Sequence, residues 1–558
     1  MPVELRMLLP QAVTGLSACL LFVAGRCLKK SAWWGPFTLL ALSASAACLA
    51  QVSTAASAPT QEVTLDPLSL AAQWAALAIG FLWTLASLGT LRANDHAADF
   101  FALMLMSVAG LMLVGAANDL IVLFVAIELA CLPMTMVIWI SRRDSAAREA
   151  STKYLLLSVL SSALLLFGFA FIYGLAGSTN LDQLAAVLSA GDTPIEPYVT
   201  ADIVPRLGIV ALVLTVAGLG FRLGVVPFHF GLRDVYAGTN AMSAALLAVA
   251  PRVAAVVVLV RLLIFAMARL AETGMLVLMV ISGITMVVCS MAALTQTRVR
   301  PILAYTTMAH GGFAVMGLAV GFWNSAHPAE SLAGPSSVPS GVSAALFFLA
   351  VYLISTLGLF AGLVYLSRPD RGIEYVEDLS GLLRSEPVAA IGMSVLLLSL
   401  IGAPPLGGFW GRTLVIGAAL SVGGESPGSL DVGPNFGFLL LAAAAACYVV
   451  MTATVYVRML VQVCFERQRA RPRPGGGRGA LACVVLAAAL SILGGLWPAP
   501  MLDYLYRMQR SLERGGIQAA TQARARSKIE PRGLAPRYPR EMSRGLEARR
   551  ERPARKSP

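Results

Sequence analysis

Long apolar stretches separated by short polar segments make up most of this chain. About fourteen of them approach the roughly 20 residues that an α-helix needs to cross a bilayer. They cover approximately residues 7–27, 35–54, 67–91, 97–116, 118–140, 154–174, 206–230, 240–267, 274–294, 300–322, 342–366, 387–421, 436–465 and 479–498. The first begins almost at once and has no small-residue cleavage site, so we expect a retained helix rather than a signal peptide. The pattern predicts an all-α integral membrane protein with about 14 transmembrane helices.

Two of these stretches are interrupted by glycine and proline. The first interruption covers residues 218–229 and contains Pro227, and the second covers residues 402–412 and contains Pro404 and Pro405. Proline removes a backbone donor, which a membrane protein tolerates where other protein groups or a wet cavity satisfy the freed carbonyls. Broken helices at matching positions of two halves indicate an internal repeat with a central ion site.

The two interruptions lie five spans apart and divide the chain. We predict two inverted five-helix repeats, each with a broken helix, at about residues 97–267 and 274–465. Three helices precede the repeats within residues 1–96, and a last helix covers residues 479–498. Residues 515–558 are predicted to form a basic disordered tail, because they are rich in charge and proline and lack apolar periodicity.

The polar segments alternate between basic and acidic ones. Lys and Arg concentrate at residues 29–30, 142–153, 298–300, 368–384 and 467–478, whereas residues 52–66, 175–203, 323–340 and 423–435 contain none. The positive-inside rule places the basic segments in the cytoplasm, so we expect a multi-pass protein of the bacterial inner membrane with both termini periplasmic. The same rule disfavours a periplasmic tail, since residues 521–558 contain twelve basic and four acidic residues. Either the tail is too distant to matter, or the span count is off by one.

Composition excludes several classes of protein. The chain is 57% hydrophobic and 13% charged, whereas a soluble globular protein carries about 25% charged residues. Its eight cysteines form no CxxC pair, which argues against a zinc or iron–sulfur site, and Gly218, Gly220 and Gly224 lack the spacing of a dinucleotide fingerprint. No motif supports nucleic-acid binding. The basic tail would contact anionic lipid or an acidic neighbour, or would simply be solvated.

Four charged residues interrupt the apolar stretches themselves. Glu128 lies alone in the run from Leu120 to Ile140, and Arg222, Arg252 and Arg412 lie near prolines in three other stretches. An ionisable group at mid-membrane costs about 2.5–3.5 kcal/mol on insertion scales, so it marks an ion path by default. The residue type matters too, because a buried lysine can release its proton and an arginine effectively cannot.

Seven short segments carry a resemblance to a known family. They are Ile-Glu-Leu-Ala-Cys-Leu-Pro (127–133), Glu-Ala-Ser-Thr-Lys-Tyr (149–154), Tyr-Gly-Leu-Ala-Gly-Ser-Thr-Asn (173–180), Pro-Phe-His (227–229) with Asp-Val-Tyr (234–236), Leu-Ala-Tyr-Thr-Thr-Met-Ala-His (303–310), Glu-Asp-Leu-Ser-Gly-Leu (377–382) and Pro-Pro-Leu-Gly-Gly-Phe (404–409). In these segments the chain resembles the antiporter-like membrane subunits of proton-translocating NADH:quinone oxidoreductase (respiratory complex I). The Asp-Val-Tyr element favours subunit N. The resemblance covers roughly residues 65–500.

The resemblance implies a membrane subunit that couples electron transfer from NADH to quinone to proton translocation. Such a subunit has no catalytic residue and binds no cofactor or metal itself. NADH, quinone, FMN and iron–sulfur clusters would belong to partner subunits. The partners implied are the other membrane and peripheral subunits of the complex, together with the lipid bilayer.

The family's proton path contains a mid-membrane glutamate, a lysine at each broken helix, a lysine between them and a histidine. Glu128 matches the glutamate, and Glu149 with Lys153 matches a second acid–base pair near the cytoplasmic end. His229 and His310 match family histidines. The predicted proton path therefore comprises Glu128, Glu149, Lys153, Arg222, His229, Arg252, His310 and Arg412, with arginine at all three key lysine positions.

The three arginines leave alternatives open. Of the 42 basic residues, 37 are arginine, so one explanation is a general bias toward arginine, which is harmless only where a permanent charge suffices. Either the proton path is impaired or altered, or Glu128, His310 and water carry protons past arginines that act as fixed gates. Glu128 would otherwise hold two helices together, His310 would be a packing residue, and Glu149 with Lys153 a surface pair. For the whole chain, the alternatives are a cation/proton antiporter subunit independent of redox chemistry and a purely structural subunit.

Overall fold

The computed structural model describes residues 6–28, 32–54, 62–91, 96–142, 144–189, 203–262, 270–327, 340–367, 372–422, 434–467 and 475–511. These segments are helical and contain isolated β-bridges but no strand. The helices are α1 (Leu9–Cys27), α2 (Trp34–Thr54), α3 (Pro67–Ser87), α4 (Ala97–Ala116), α5 (Leu120–Ser141), α6 (Ser145–Ala176), α7 (Leu181–Ser189), α8 (Ile203–Leu223), α9 (Leu232–Gly238), α10 (Ala241–Leu259), α11 (Ala271–Leu294), α12 (Val299–Ala326), α13 (Gly341–Leu366), α14 (Leu382–Ser385), α15 (Pro387–Ile401), α16 (Gly407–Leu420), α17 (Pro434–Cys464), α18 (Gly477–Leu496) and α19 (499–511).

The predicted all-α architecture of membrane-spanning helices is confirmed. Among the described residues, 13 helices are long and apolar enough to span a bilayer. The predicted stretch at residues 387–421 is instead divided between two short helices, α15 and α16, each shorter than the length that crosses a bilayer alone. α19, which follows the last span, was not predicted from the sequence.

Three helices form the centre of the molecule. The apolar segment of α10 is 100% buried, and those of α12 and α13 are 94% and 89% buried. By contrast, only 28% of α1 and 33% of α6 are covered, so these helices present faces to the surroundings. Charged residues on α10 and α12 consequently lie inside protein rather than against lipid.

Both predicted helix breaks are present. α8 ends at Leu223, the chain turns through Gly224 at φ +72° and Pro227, and α9 begins at Leu232. α15 ends at Ile401, Gly402 adopts φ +87°, two prolines follow, and α16 begins at Gly407. A left-handed glycine is the common way to end a helix, and proline cannot continue one. Each break therefore follows directly from its glycines and prolines.

The N-terminal helices and the C-terminal helix α19 pack on this core. Trp83 on α3 donates from Nε1 to the Met242 carbonyl on α10 at 2.9 Å. Tyr504 on α19 donates to the Pro67 carbonyl at 3.0 Å, at the start of α3. The limits predicted for the N-terminal part (1–96), the two repeats and the last helix stay predictions. The predicted tail, 515–558, lies outside the described residues.

Candidate functional site

Glu128 and Arg222 form a buried ion pair. Arg222 NH2 donates to Glu128 Oε1 at 2.5 Å, and the two side chains are 3% and 16% exposed respectively. Ser162 on α6 donates to the same carboxylate oxygen at 2.6 Å and accepts from Arg222 NH2 at 2.9 Å. Ser158, one turn earlier, accepts from Arg222 NH1 at 3.3 Å. Two serines therefore bind the pair from α6.

Close helix packing places this pair. Ser161 on α6 donates to the Gly218 carbonyl on α8 at 2.7 Å, and a Cβ on Gly218 would lie 2.9 Å from the Ser161 carbonyl oxygen. α4 approaches α5 equally closely, because a Cβ on Gly110 would lie 2.3 Å from the Ala130 backbone nitrogen. Small residues allow such approach between membrane helices. The approach of α6 to α8 fixes the serines beside Arg222.

Arg252 lies at the centre of α10 and is 1% exposed. Its guanidinium donates only to neutral oxygens among the described residues: Ala248 O at 2.7 Å, Leu247 O at 3.2 Å, Thr307 Oγ1 at 3.3 Å and Tyr236 Oη at 3.4 Å. Pro251 has no N–H, so the Leu247 carbonyl lacks its usual helical donor and is free to accept from Arg252. A proline within the helix thus supplies one acceptor for the buried cation.

His310 on α12 is buried between two tyrosines of α17. The Tyr448 hydroxyl lies within hydrogen-bond distance of Nδ1, and the Tyr456 hydroxyl lies 2.9 Å from Nε2. A neutral imidazole donates from one nitrogen and accepts at the other, so both positions are satisfied without a charge on His310. The ring of Tyr352 lies 5.3 Å from that of His310, and its hydroxyl donates to the Ala248 carbonyl that also binds Arg252. These contacts connect His310 to Arg252.

Arg412 continues the row on α16. It is 5% exposed, its NH2 donates to the Leu400 carbonyl at the end of α15, and its guanidinium lies 5.1 Å from the centre of the Tyr448 ring. The C-terminal carbonyls of a helix carry partial negative charge, which favours a cation there. Arg412 therefore bridges the two halves of the second broken helix.

Each break borders a cavity. A small cavity at the first break is lined by both Arg222 and Arg252, and another at the second is lined by His310 and Arg412. The structure thus brings five of the eight predicted residues into one row, in the order Glu128, Arg222, Arg252, His310 and Arg412. In this row the carboxyl, imidazole and phenol groups can exchange protons, whereas the guanidinium groups hold charge.

The other three predicted residues lie away from the row. Lys153 is exposed and binds Glu149 at 2.7 Å and Asp234 at 3.0 Å, so it joins α6 to α9. His229 lies within the first break, and its buried Nδ1 has no hydrogen-bond partner among the described residues. The predicted Glu149–Lys153 pair is therefore present, with Asp234 as a second carboxylate. None of the eight roles in proton transfer is tested by this geometry.

Sequence reasoning missed several residues of the site. Ser158, Ser162 and the tyrosines of α17 carry no charge and belong to apolar stretches, so no pattern distinguishes them. A further buried pair was also missed: Arg261 at the end of α10 binds Asp66 Oδ1 at 2.6 Å. Since 195 positions separate Arg261 from Asp66, only the fold brings them together.

Comparison with known proteins identifies the family of this chain. Residues 117–426 match the family described as NADH:quinone oxidoreductase/Mrp antiporter, transmembrane. NADH-quinone oxidoreductase subunit N of Rhodospirillum rubrum is 30% identical over 77% of this chain and 78% of that protein. Subunit N of Paramagnetospirillum magneticum is 36% identical over 58% of this chain, but that alignment spans 62% of the relative, less than two thirds of its length.

Solved structures show the same fold. A chain of respiratory complex I from Thermus thermophilus with bound aureothin superimposes with a TM-score of 0.68 at 27% identity, covering 89% of this chain and 99% of that one. A chain of the Mrp complex from Dietzia superimposes with a TM-score of 0.67 at 22% identity, covering 95% and 99%, which shows the fold alone. The chain belongs to the NADH:quinone oxidoreductase/Mrp antiporter transmembrane family, among the subunit N proteins of NADH-quinone oxidoreductase.

Proposed function

We propose that this chain is a membrane subunit of a proton-translocating NADH:quinone oxidoreductase. The names of its relatives and the complex I chain from Thermus thermophilus support this assignment. NADH, FMN, iron–sulfur clusters and quinone would be bound by partner subunits, and this chain would lie among the other membrane subunits in the inner membrane. The two repeats at residues 97–267 and 274–465, with both chain termini periplasmic, belong to the same proposal.

The same proposal includes an altered proton path, because three positions of the path hold arginine, whose charge is permanent. The observation that carries it is the row of buried guanidiniums, with Arg222 fixed at 2.5 Å on Glu128. A lysine in such a site can give up its proton and become neutral, whereas a guanidinium stays charged. Charge shifts along the row would then move protons on Glu128, His310 and the tyrosines around it, and the arginines would set the field.

The test compares wild type with the triple variant Arg222→Lys, Arg252→Lys, Arg412→Lys in inverted membrane vesicles. Protons translocated are measured per electron delivered from NADH to quinone. We expect more protons per electron in the triple variant, because lysine restores groups that can exchange protons. Arg261→Lys is the matched control, since Arg261 is equally buried and ion-paired but lies outside the row.

Two results would contradict the altered path. In the first, wild type and the triple variant translocate equal numbers of protons per electron. In the second, the Arg261→Lys control changes the ratio as much as the triple variant, which would show a general effect of replacing buried arginine. Assembly of the complex must be checked in parallel by the amount of the complex recovered.

A cation/proton antiporter independent of redox chemistry is the second candidate. The family description includes the Mrp antiporter, and the likeness to the Dietzia chain supports a shared fold. Sodium-driven proton movement in vesicles without NADH would favour this candidate and exclude the first. A purely structural subunit is the third, and Glu128→Gln tests it: intact assembly with a large loss of proton transport would rule it out.

A further inference from the structure

The charge of Arg412 is the least balanced of the four buried arginines in the described part of the chain. Arg222 binds Glu128, and Arg261 binds Asp66. Arg252 has no carboxylate but donates to four oxygen atoms. Arg412 has one hydrogen bond, to the Leu400 carbonyl, and its buried NH1 has no partner.

No carboxylate among the described residues lies within ion-pair distance of Arg412. The Tyr448 ring beneath it offers only a weak cation–π attraction. Burying an unpaired charge is costly, and most buried groups avoid that cost by becoming neutral. A guanidinium cannot become neutral, so the site requires a negative charge from elsewhere.

Ser399 and Gly408 line the same cavity as Arg412. Ser399 accepts hydrogen bonds from Ser355 at 3.1 Å and from Ser491 at 2.7 Å. With both neighbours donating to its oxygen, the Ser399 hydroxyl hydrogen is left to donate elsewhere, and Ser399 lines the cavity. Gly408, in the first turn of α16, also lines it. The N-terminus of a 14-residue helix presents partial positive charge and attracts anions.

We propose that this cavity binds one small monovalent anion, with chloride as the ligand class. Arg412 NH1, the Ser399 hydroxyl and the N-terminal end of α16 would hold it. A single negative charge balances the single guanidinium, whereas a divalent anion would leave an excess charge beside the apolar walls of Phe348 and Val351. The cavity has room for about one water-sized group, so it suits a single small ion rather than a larger ligand.

This inference does not depend on the proposed function. It concerns a ligand of the folded chain and is measured without NADH, quinone or a proton gradient. Loss of the halide site would leave the assignment to the oxidoreductase unaffected, and failure of that assignment would leave the halide site standing.

The test measures thermal unfolding of the full chain in lipid nanodiscs. Sodium bromide or chloride replaces sodium gluconate at constant ionic strength, since gluconate is too large for the cavity. A ligand that binds only the folded state raises the unfolding temperature as its concentration increases. The unfolding temperature of wild type should therefore increase with halide concentration. Crystals grown in bromide should show one anomalous peak within hydrogen-bond distance of Arg412.

Three variants localise the effect. Arg412→Gln should abolish the halide dependence. Ser399→Ala keeps the guanidinium and should weaken bromide binding by about fivefold, the equivalent of one lost hydrogen bond, so it serves if Arg412→Gln fails to fold. Ser290→Ala is the matched control, because Ser290 is buried but bonds only within its own helix, to the Met286 carbonyl at 2.6 Å. The control should respond to halide as wild type does.

The proposal is overturned if wild type unfolds at the same temperature in bromide, chloride and gluconate. It is also overturned if Ser399→Ala and Ser290→Ala show equal halide dependence, because the ion would then bind elsewhere. A bromide peak located away from the second break would also overturn the proposal.

Discussion

Removing one charge of the Glu128–Arg222 pair should strongly lower the free energy of unfolding. Removing both charges should lower it no further. The perturbation is a double-mutant cycle of Glu128→Gln, Arg222→Gln and the double variant. Either single change leaves one charge buried without its partner, whereas the double change leaves two amides that can bond to each other and to Ser162. The cycle therefore separates the interaction from the loss of each side chain.

The size of the effect follows from burial. Removing one partner of a buried ion pair costs about 3–5 kcal/mol. Glu128 is 16% exposed and Arg222 is 3% exposed, and glutamine keeps an oxygen that accepts a hydrogen bond. We therefore expect the lower end, about 3 kcal/mol for each single variant, and no more than about 3 kcal/mol for the double variant.

The assay is reversible unfolding in bicelles, with the free energy of unfolding as the readout. Arg142 and Asp144 supply a matched surface pair: their side chains are each 38% exposed and 2.5 Å apart. The same cycle there should give a coupling below about 1 kcal/mol. If the losses at Glu128 and Arg222 simply add to about 6 kcal/mol, the two residues act independently and the reasoning from the ion pair is wrong.

Three further changes test the packing, the histidine site and the cytoplasmic end, each by the free energy of unfolding. Gly110→Ala would place a Cβ 2.3 Å from the Ala130 nitrogen and should lower the free energy of unfolding by about 1–3 kcal/mol. The control, Gly174→Ala, meets no atom within 4 Å and should stay within about 1 kcal/mol of wild type. Equal effects of the two changes would contradict the close approach of α4 and α5. Tyr456→Phe leaves His310 Nε2 without its hydroxyl partner and should cost about 1–3 kcal/mol, while an unchanged stability would mean that the bond contributes nothing. Lys153→Gln removes two exposed ion pairs and should change the free energy of unfolding by less than about 1 kcal/mol. A larger loss would contradict this and would show that the contacts with Glu149 and Asp234 hold α6 against α9.

Much of the fold is predictable from local signals in the sequence. Apolar length gives the crossings, and Gly402 with Pro404 and Pro405 ends α15 at the predicted place. The first break was also predicted, but the helix α9 that follows it was not, because seven residues after a proline-rich turn carry too little periodicity. α19 was missed for a similar reason, since it lies beyond the last long apolar stretch and before the basic tail.

The candidate site was predictable only where a charge interrupts an apolar run. Glu128 and Arg222 were singled out by their charge, but nothing in the sequence shows that they bind each other across 94 positions. The partners of His310 were not predictable, because Tyr448 and Tyr456 are ordinary residues of a helix that is partly exposed. Spacing of eight residues places both tyrosines on one helical face, yet which helix that face contacts depends on the tertiary fold.

The general preference for arginine in this chain does not by itself account for Arg222 and Arg252, because each donates from both terminal nitrogens to acceptors on different residues. Arg252 spans two helices with separate nitrogens, donating from NH1 to the Leu247 carbonyl freed by Pro251 and from NH2 to Thr307. Arg222 binds the carboxylate of Glu128 and both serines of α6, whereas Arg412 donates to one carbonyl, that of Leu400 at the end of α15. A compact ammonium has three donors on one atom and cannot reach acceptors on both sides at once, whereas the guanidinium fork can. Permanent positive charge is therefore built into the helix breaks, and proton exchange in this region is left to groups that can change their protonation state.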